Sequence, residues 1–166
     1  VDMAAFDAAM QEQRERAKAD NKAKKHRNVD ESLYREWVDA NPTEFVGYDQ
    51  LVHDATVIGL VRGGEKVGEV SQGDEVEVIL DVTPMYAESG GQMADRGRLV
   101  MGDTILNVND VQRVGKKLWL HKATVQNGGL DLGSTVTAEV DGAWRHGARQ
   151  AHSATHLIHA AIRQVL

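Results

Sequence analysis

Cysteine is absent from this chain of 166 residues, and no long apolar run occurs in it. The lack of cysteine excludes a disulfide framework and is compatible with the cytoplasmic location that we expect. No apolar run approaches the roughly 18 to 20 residues of a membrane-spanning helix, so no membrane partner is expected. The first residues, Val-Asp-Met-Ala-Ala-Phe-Asp, do not follow the basic and then apolar order of a secretory signal peptide. The missing initiator Met is expected of a piece of a longer chain.

Charge is distributed unevenly along the chain. The formal net charge is −6, and residues 51–144 hold eight Lys or Arg against fourteen Asp or Glu. The stretch Arg14–Arg27 is instead basic, and residues 145–166 contain three arginines and no acidic residue. A polyanion would therefore meet the two ends, unless Arg14–Arg27 is only a solvated helix face. The overall acidity argues against a nonspecific nucleic-acid binder, and DNA is not an expected partner.

Residues 1–42 are expected to be helical, because neither glycine nor proline occurs before Pro42. Apolar residues spaced by three and four predict one helix over Val1–Arg27, with an apolar stripe that ends near Met10. A short amphipathic helix follows and ends before Pro42. The apolar residues of this second helix are Leu33, Trp37 and Val38.

Residues 43–143 have the pattern of a β domain. Short β-rich runs alternate with turn signals, and strict alternation of apolar and polar residues is clearest in Val76–Val82. Seven strands at this spacing predict an antiparallel barrel or sandwich, and a βαβ arrangement would need crossover helices that the pattern lacks. The expected fold class is α+β, with helices at both ends and a central antiparallel barrel. The predicted strands are Leu51–Val61, Val67–Val70, Val76–Val82, Gly97–Met101, Thr104–Val114, Leu118–Val125 and Thr135–Val140.

The stretch Thr83–Gln92 is more distinctive than a simple hairpin. Gly90 and Gly91 permit positive φ and leave backbone N–H groups open to a ligand carboxylate or phosphate. Polar side chains beside them, including Gln92, could orient a substrate. The alternative is a long turn between strands in which the glycines serve geometry only.

Residues 144–166 predict a last helix, in which His152 and His156 are the most informative residues. Four positions apart on a helix, the two imidazoles project from one face and can reach one metal ion. Zinc is the usual occupant of such a pair, yet even an open zinc site normally takes three protein ligands. Either these histidines are ordinary, or their partner ligands lie beyond Leu166. We favour the second hypothesis, because the helix follows a complete β domain and resembles the first helix of a second, truncated domain.

Three segments in the same order resemble those of the alanyl-tRNA synthetases. They are Phe-Asp-Ala-Ala-Met-Gln-Glu-Gln-Arg-Glu-Arg-Ala at Phe6–Ala17, Thr-Pro-Met-Tyr-Ala-Glu-Ser-Gly-Gly-Gln at Thr83–Gln92, and the His-Ser-Ala-Thr-His run within Ala148–Leu166. The stretch Asn41–Asp49 is similar to the family's entry into this region. The resemblance covers essentially the whole chain, and the joint order of the motifs makes it highly specific.

The resemblance implies an internal piece of an enzyme that attaches alanine to tRNA(Ala), using ATP and magnesium, and hydrolyses tRNA(Ala) mischarged with serine or glycine. Residues 1–42 would end the tRNA-recognition region. Residues 43–143 would be the barrel of translation-factor type that opens the editing half. Residues 144–166 would be the first helix of a truncated, zinc-dependent editing core. Such a piece lacks the aminoacylation site and most of the editing core, so it is expected to be inactive alone.

The resemblance also implies roles for single residues. His152 and His156 match two zinc ligands of the editing site, whose other ligands, a Cys and a His, would lie beyond Leu166. The chain alone is therefore expected to bind zinc weakly or not at all. The exposed terminal helices could form oligomer contacts. The editing-pocket candidates are Thr155, Gly90, Gly91 and Gln92, and the candidates for contact with tRNA are Arg14, Arg16, Lys18, Arg145 and Arg149.

Two alternatives remain open. A free-standing editing hydrolase shares the barrel and the His-x-x-x-His arrangement, although Phe6–Ala17 resembles the tRNA-recognition region of the synthetases and counts against it. A nonenzymatic, translation-factor-like RNA-binding barrel would make the histidine pair incidental. The flanking sequence separates the three hypotheses, since a downstream Cys-x-x-x-His supports either editing function and an upstream class II catalytic domain selects the synthetase.

Overall fold

A computed structural model describes residues 10–15, 31–40, 42–115 and 117–165. The chain divides into two compact units, Val1–Glu31 and Ser32–Leu166. In the first unit, residues 10–15 are helical. The rest of the helix predicted over Val1–Arg27 lies outside the described residues.

Among the described residues from Glu31 onward, two helices flank eleven strands. None of the helices there is long and apolar enough to span a membrane. The elements are α1 (Glu31–Ala40), β1 (Glu44–Phe45), β2 (Val52–Arg62), β3 (Glu65–Lys66), β4 (Glu69–Ser71), β5 (Glu75–Leu80), β6 (Val82–Thr83), β7 (Gly97–Met101), β8 (Thr104–Val114), β9 (Leu118–Asn127), β10 (Gly129–Asp131), β11 (Thr135–Val140) and α2 (Gly142–Val165).

Six of these strands close into an antiparallel barrel. Their order around the barrel is β2, β5, β9, β8, β7 and β11, and β11 pairs back onto β2 from Thr135↔Thr56 to Glu139↔Val52. Closure pairs both edges of each of these strands, which removes the open edges that favour aggregation. The α+β fold class with a central antiparallel barrel is therefore confirmed.

The seven predicted strands agree with β2, β4, β5, β7, β8, β9 and β11 to within two residues at each end. Three short pairings were not predicted, and one of them joins β2 to the two-residue strand β3. The two-residue strands β1 and β6 pair in parallel, and β10 pairs with β4 outside the barrel. Strands this short carry too few residues for an alternating pattern to be recognised.

The core of the barrel consists mainly of aliphatic side chains, which alternate with outward residues along strands such as β11. Each fully buried leucine, isoleucine or valine contributes about 1.5–3 kcal/mol relative to an exposed position. The inward residues of β11 show the alternation, since Val136, Ala138 and Val140 are buried. Fully buried members of the core include Val78, Leu80, Leu99, Leu106 and Val111.

Helix α1 packs on β2 and β5 through its aromatic residues. Tyr34 is buried and its hydroxyl donates to the Glu77 carboxylate. The indole N–H of Trp37 donates to the Ile58 carbonyl at 2.9 Å. A Cβ at Gly59 would lie 2.8 Å from the Trp37 ring, so this close packing requires glycine at that position.

Candidate functional site

The loop between β6 and β7, residues 84–96 and here called the linking loop, is fixed at its start by a buried histidine. His121 donates from Nδ1 to the Val78 carbonyl at 2.9 Å, so its Nε2 accepts the Thr83 hydroxyl at 2.8 Å. Thr83 Oγ1 in turn accepts the Met85 N–H at 3.1 Å. Burial lowers the pKa of His121 to about 4, against the opposing effect of the Val78 hydrogen bond. The neutral imidazole therefore holds the entry to the loop.

The far end of the linking loop is fixed by a buried ion pair. Asp95 accepts hydrogen bonds from Nε of Arg145 at 3.1 and 3.0 Å and from the Tyr86 N–H at 2.6 Å. Arg145 also donates to the carbonyls of Gly47 at 2.8 Å and Pro84 at 2.6 Å. The side chains of Arg145 and Asp95 are only 8% and 1% exposed. All three nitrogens of the Arg145 guanidinium therefore donate hydrogen bonds, as a buried charge requires.

The first turn of α2 is fixed to the same loop. Asp141 caps the helix, since its carboxylate accepts the Trp144 N–H at 2.9 Å. The Trp144 indole N–H donates to the Ala94 carbonyl at 2.9 Å, and the guanidinium of Arg96 lies 3.9 Å from the centroid of the Trp144 ring. Helix α2 therefore leaves the barrel in a defined direction.

The predicted glycine pair forms a tight turn within the linking loop. Ser89 and Gln92 form an antiparallel bridge, and the φ values of Gly90 and Gly91 are +61° and +83°. A type I′ turn requires positive φ at both central residues. The backbone conformation of the turn is therefore sufficient to explain the two glycines. Both glycines are exposed, and their N–H groups have no hydrogen-bond partner within the described residues. The turn can therefore donate to an anion.

The glycine turn is connected to the second half of β8. The Glu88 N–H donates to the Val111 carbonyl at 3.1 Å, and Arg113 donates to the Ser89 hydroxyl at 3.3 Å. These contacts hold the turn against the barrel wall.

His152 and His156 lie together on α2. Their Nε2 atoms are 3.0 Å apart, and the ring centroids are separated by 4.5 Å at an interplanar angle of 81°. Two nitrogens bound to one tetrahedral zinc at about 2.0–2.1 Å would lie roughly 3.3 Å apart. The pair therefore fits two positions of a zinc site after a movement of a few tenths of an ångström. Within the described residues no group of three His, Cys, Asp or Glu is placed to hold a metal.

The two histidines differ in burial because α2 has an anchored face. Arg145, Ala148 and His152 follow a spacing of three and four, which places them on one side of the helix. Arg145 is buried and the other two are half-buried, whereas His156 is exposed. His152 is thus the member of the pair on the anchored side. Thr155 is exposed, and its hydroxyl donates to the Ala151 carbonyl at 2.9 Å.

The histidine pair and the glycine turn are not joined by any hydrogen bond, ion pair or ring contact among the described residues. Beyond the pair, the apolar side of α2 is open. Leu157, Ile158 and Ile162 are 71%, 61% and 50% exposed. These apolar side chains of α2 therefore do not pack on the barrel.

The basic candidates have different environments. Arg14 and Arg149 are exposed, and Arg16 and Lys18 lie outside the described residues. Arg145 is buried in the ion pair described above, so its guanidinium is occupied. Arg145 is therefore a positioning residue in this structure, and its contact with tRNA stays a prediction.

The chain matches the family model described as tRNA synthetases class II (A) over residues 1–144. It belongs to this family. It is similar over its whole length to the alanine–tRNA ligases of Corynebacterium diphtheriae, at 63% identity, Corynebacterium glutamicum, at 61%, and Mycolicibacterium smegmatis, at 49%. The chain spans 19% of the length of each of these curated relatives. The resemblance to alanyl-tRNA synthetases is confirmed.

Two residues of this class II (A) family member, His121 and Asp95, were not predicted as parts of the site. Together with Arg145, which was predicted only as a contact with tRNA, they fix the linking loop and α2. A histidine within the apolar strand β9 was a usable signal, because a buried imidazole needs partners. The pairing of Asp95 with Arg145 had no local signal, since the two residues are 50 positions apart.

Proposed function

We propose that this chain is part of an alanine–tRNA ligase and belongs to the part that binds tRNA(Ala) and, when it is mischarged, hydrolyses the ester that joins serine or glycine to it. The observation that carries the proposal is 63% identity over the whole chain to an alanine–tRNA ligase. Ligation of alanine, with ATP and magnesium, is proposed for the longer protein and not for this chain. The expected location remains cytoplasmic.

In this proposal, His152 and His156 are two of the ligands of an editing-site zinc ion. Their Nε2 atoms already converge, and neutral imidazole is the form that binds metal. The remaining ligands come from residues other than those described. When bound, zinc would hold the terminal adenosine of the aminoacyl ester or lower the pKa of a water molecule.

Thr155 is proposed to distinguish the side chain of the attached amino acid. Its hydroxyl hydrogen is donated to Ala151, so the oxygen remains able to accept a hydrogen bond from the hydroxyl of serine. A polar wall of this kind favours serine over alanine, because alanine leaves the polar group unpaired.

The glycine turn is proposed to bind an anionic or carbonyl oxygen of the aminoacyl end. The exposed N–H groups of Gly90 and Gly91 are donors, and Gln92 adds an amide beside them. The ion pair of Asp95 with Arg145 fixes both the linking loop and the first turn of α2. It therefore supports a constant placement of the turn relative to the helix that carries the histidines.

The test uses the protein at the full length of its relatives. We expect His152→Ala and His156→Ala to slow hydrolysis of seryl-tRNA(Ala) by at least about a hundredfold, because several kcal/mol of metal-dependent stabilisation are lost. Zinc content measured by mass spectrometry should fall in parallel. The alanylation rate should stay within about twofold, since it uses a separate site.

His159→Ala is the matched control, because it removes an exposed histidine from the same helix outside the pair. It should retain both zinc and hydrolysis. Unchanged hydrolysis in the His152/His156 double variant would overturn the editing role. Absence of alanylation in the full-length protein would favour a free-standing hydrolase or a nonenzymatic RNA-binding barrel.

A further inference from the structure

Aromatic side chains are scarce in this chain, and half of them line one cavity. The chain has two Phe, three Tyr and three Trp. A cavity of about 370 Å³ is lined by Phe45, Tyr48, Tyr86 and Trp119, and Arg113 and Ser89 complete its wall. We call it the aromatic pocket. Its volume lies at the lower end of the roughly 300–1,000 Å³ of small-molecule sites, a size for one base with its ribose.

The rings of the aromatic pocket form an ordered group around Phe45. Trp119 is stacked on Phe45, with centroids 5.9 Å apart and an interplanar angle of 6°. Tyr48 and Tyr86 meet Phe45 edge-on, at 5.1 and 6.2 Å. Tyr48 is nevertheless 79% exposed, so these contacts leave most of its ring open to solvent. An open ring of this size at a cavity is a surface for stacking.

Trp119, which lines the pocket, also has an unused hydrogen-bond donor. The indole N–H of Trp119 is buried and has no hydrogen-bond partner within the described residues. A buried donor without a partner is costly, so native structures rarely retain one without a reason. The other two tryptophans donate to the carbonyls of Ile58 and Ala94. The unpaired N–H therefore distinguishes the pocket residue from Trp37 and Trp144.

The charge at the pocket suits a nucleotide. The guanidinium of the exposed Arg113 lies 5.5 Å from the centroid of the Trp119 ring and also contacts Ser89. Ser89 is the first residue of the glycine turn, so the pocket adjoins its exposed N–H groups. Acidic groups lie close by, since Gln112 contacts the carboxylates of Glu88 and Asp110. Neither Glu88 nor Asp110 lines the cavity itself.

We propose that the aromatic pocket binds one unpaired nucleobase of the tRNA, stacked on its exposed aromatic surface, with Arg113 contacting the phosphate backbone. The inference rests on the proposed function for the identity of the RNA. Aromatic rings beside a cation are the usual means of holding single-stranded nucleic acid, because every base offers a π face. The Trp119 N–H is buried, so a base reaches it only after a small movement of the surrounding side chains. A base then has ring nitrogens and carbonyl oxygens that can accept this N–H, which an aliphatic protein side chain lacks.

The first measurement uses nuclear magnetic resonance of the 166-residue chain. The three indole N–H signals are observed while the RNA tetranucleotide ACCA is added, and Trp119→Phe assigns the pocket signal. We expect the Trp119 signal to move, while the Trp37 signal, already hydrogen-bonded on another face, stays unchanged. A Trp119 signal that stays unchanged while the oligonucleotide binds would overturn the proposal.

The second measurement is the affinity for the same tetranucleotide, labelled and followed by fluorescence anisotropy. Tyr48→Ala should weaken binding about fivefold or more, and Tyr48→Phe should retain it, because stacking depends on the ring and not on the hydroxyl. Arg113→Gln should also weaken binding and reduce its dependence on salt. The matched control is Arg98→Gln, an exposed arginine on β7 that lies outside the pocket. Equal losses in Arg113→Gln and Arg98→Gln would indicate nonspecific attraction and contradict the proposal.

Failure of this inference and failure of the editing function can be told apart in the full-length protein. Tyr48→Ala should raise KM for seryl-tRNA(Ala) with zinc content unchanged, whereas the histidine variants should lose zinc and hydrolysis but bind the tetranucleotide normally. If Tyr48→Ala leaves both KM and oligonucleotide affinity unchanged, the pocket has another occupant and the inference is wrong. If the histidine variants still edit while Tyr48→Ala weakens binding, the editing role is wrong and the pocket stands.

Discussion

The first turn of α2 and the remainder of the same helix have opposite environments. Arg145 in the first turn is buried and engaged by Asp95 and by two backbone carbonyls. Two turns later His152 is half-buried, and from Ser153 to Arg163 the helix is exposed. One continuous helix therefore begins as part of the barrel and ends as an open surface.

The first turn of α2 stabilises the fold, whereas its second half presents groups that can bind a ligand. Polar groups in the first turn have their partners inside the chain, so they fix a direction and are not available to a ligand. In the second half, His152 and His156 have only each other among the described residues, which leaves their nitrogens accessible to a metal. Substitutions should therefore affect folding at the start of α2 and function further along it.

Removal of the buried arginine should have the largest effect. Arg145→Ala should lower the free energy of unfolding by about 3–5 kcal/mol, because it leaves the Asp95 carboxylate buried without its counterion. Urea unfolding followed by tryptophan fluorescence measures the change. Arg149→Ala is the matched control, since Arg149 is exposed one turn later, and it should change stability by no more than about 0.5 kcal/mol. A similar loss of unfolding free energy in both variants would show that the first turn of α2 is no more important for stability than the next.

The buried histidine should have an intermediate effect, visible as pH dependence. His121 has a pKa of about 4 when folded and 6.5 as its ordinary value, so between these limits the unfolded chain binds more protons. The free energy of unfolding should therefore fall by up to about 3 kcal/mol as the pH is lowered from 6.5 to 4. Above pH 6.5 this contribution is fully present. Unfolding curves at several pH values measure it.

A variant isolates the part of the pH dependence that His121 causes. His121→Asn keeps a polar side chain that does not titrate, so stability should vary less over this interval than in the unchanged protein. His159→Asn removes an exposed histidine from α2 and should retain the steeper dependence. The same slope in both variants would show that His121 is not the cause.

Substitutions on the open apolar face should have the smallest effect on stability. Leu157→Ala and Ile158→Ala should each change the free energy of unfolding of this chain by at most about 0.5 kcal/mol, because both side chains are more than half exposed. Leu120→Ala on β9 is the buried reference and should cost about 2–5 kcal/mol. A loss above 1 kcal/mol at Leu157 or Ile158 would show that this face is covered in solution.

The barrel could be predicted from the sequence because alternation and turn residues are local signals. Strands such as β7, β8 and β11 were predicted to the residue, since Gly or Asp marks the turns between alternating runs. The order of strands around the barrel and its closure through β11 and β2 had no such signal. Both depend on pairings between residues far apart in the chain.

The candidate site could likewise be predicted only where its residues are close together in the sequence. The spacing of His152 and His156 was sufficient to predict that their nitrogens converge, because an α-helix fixes the geometry of residues four apart. The glycine pair predicted positive φ but not the type of turn, since glycine pairs occur in many loops. The aromatic pocket was not predicted, because Phe45, Tyr86 and Trp119 come from three different elements and meet only in the folded chain.

The closure of the barrel has a consequence for the order in which the chain folds. During synthesis the N-terminal part emerges first, so β2 has one unpaired edge until β11 follows. Arg145 is made later still, and its partner carbonyl at Gly47 lies 98 positions earlier. The first turn of α2 can therefore dock only after the segments that carry Gly47, Pro84 and Asp95 are in place. Until β11 arrives, the open edge of β2 can pair with another nascent chain.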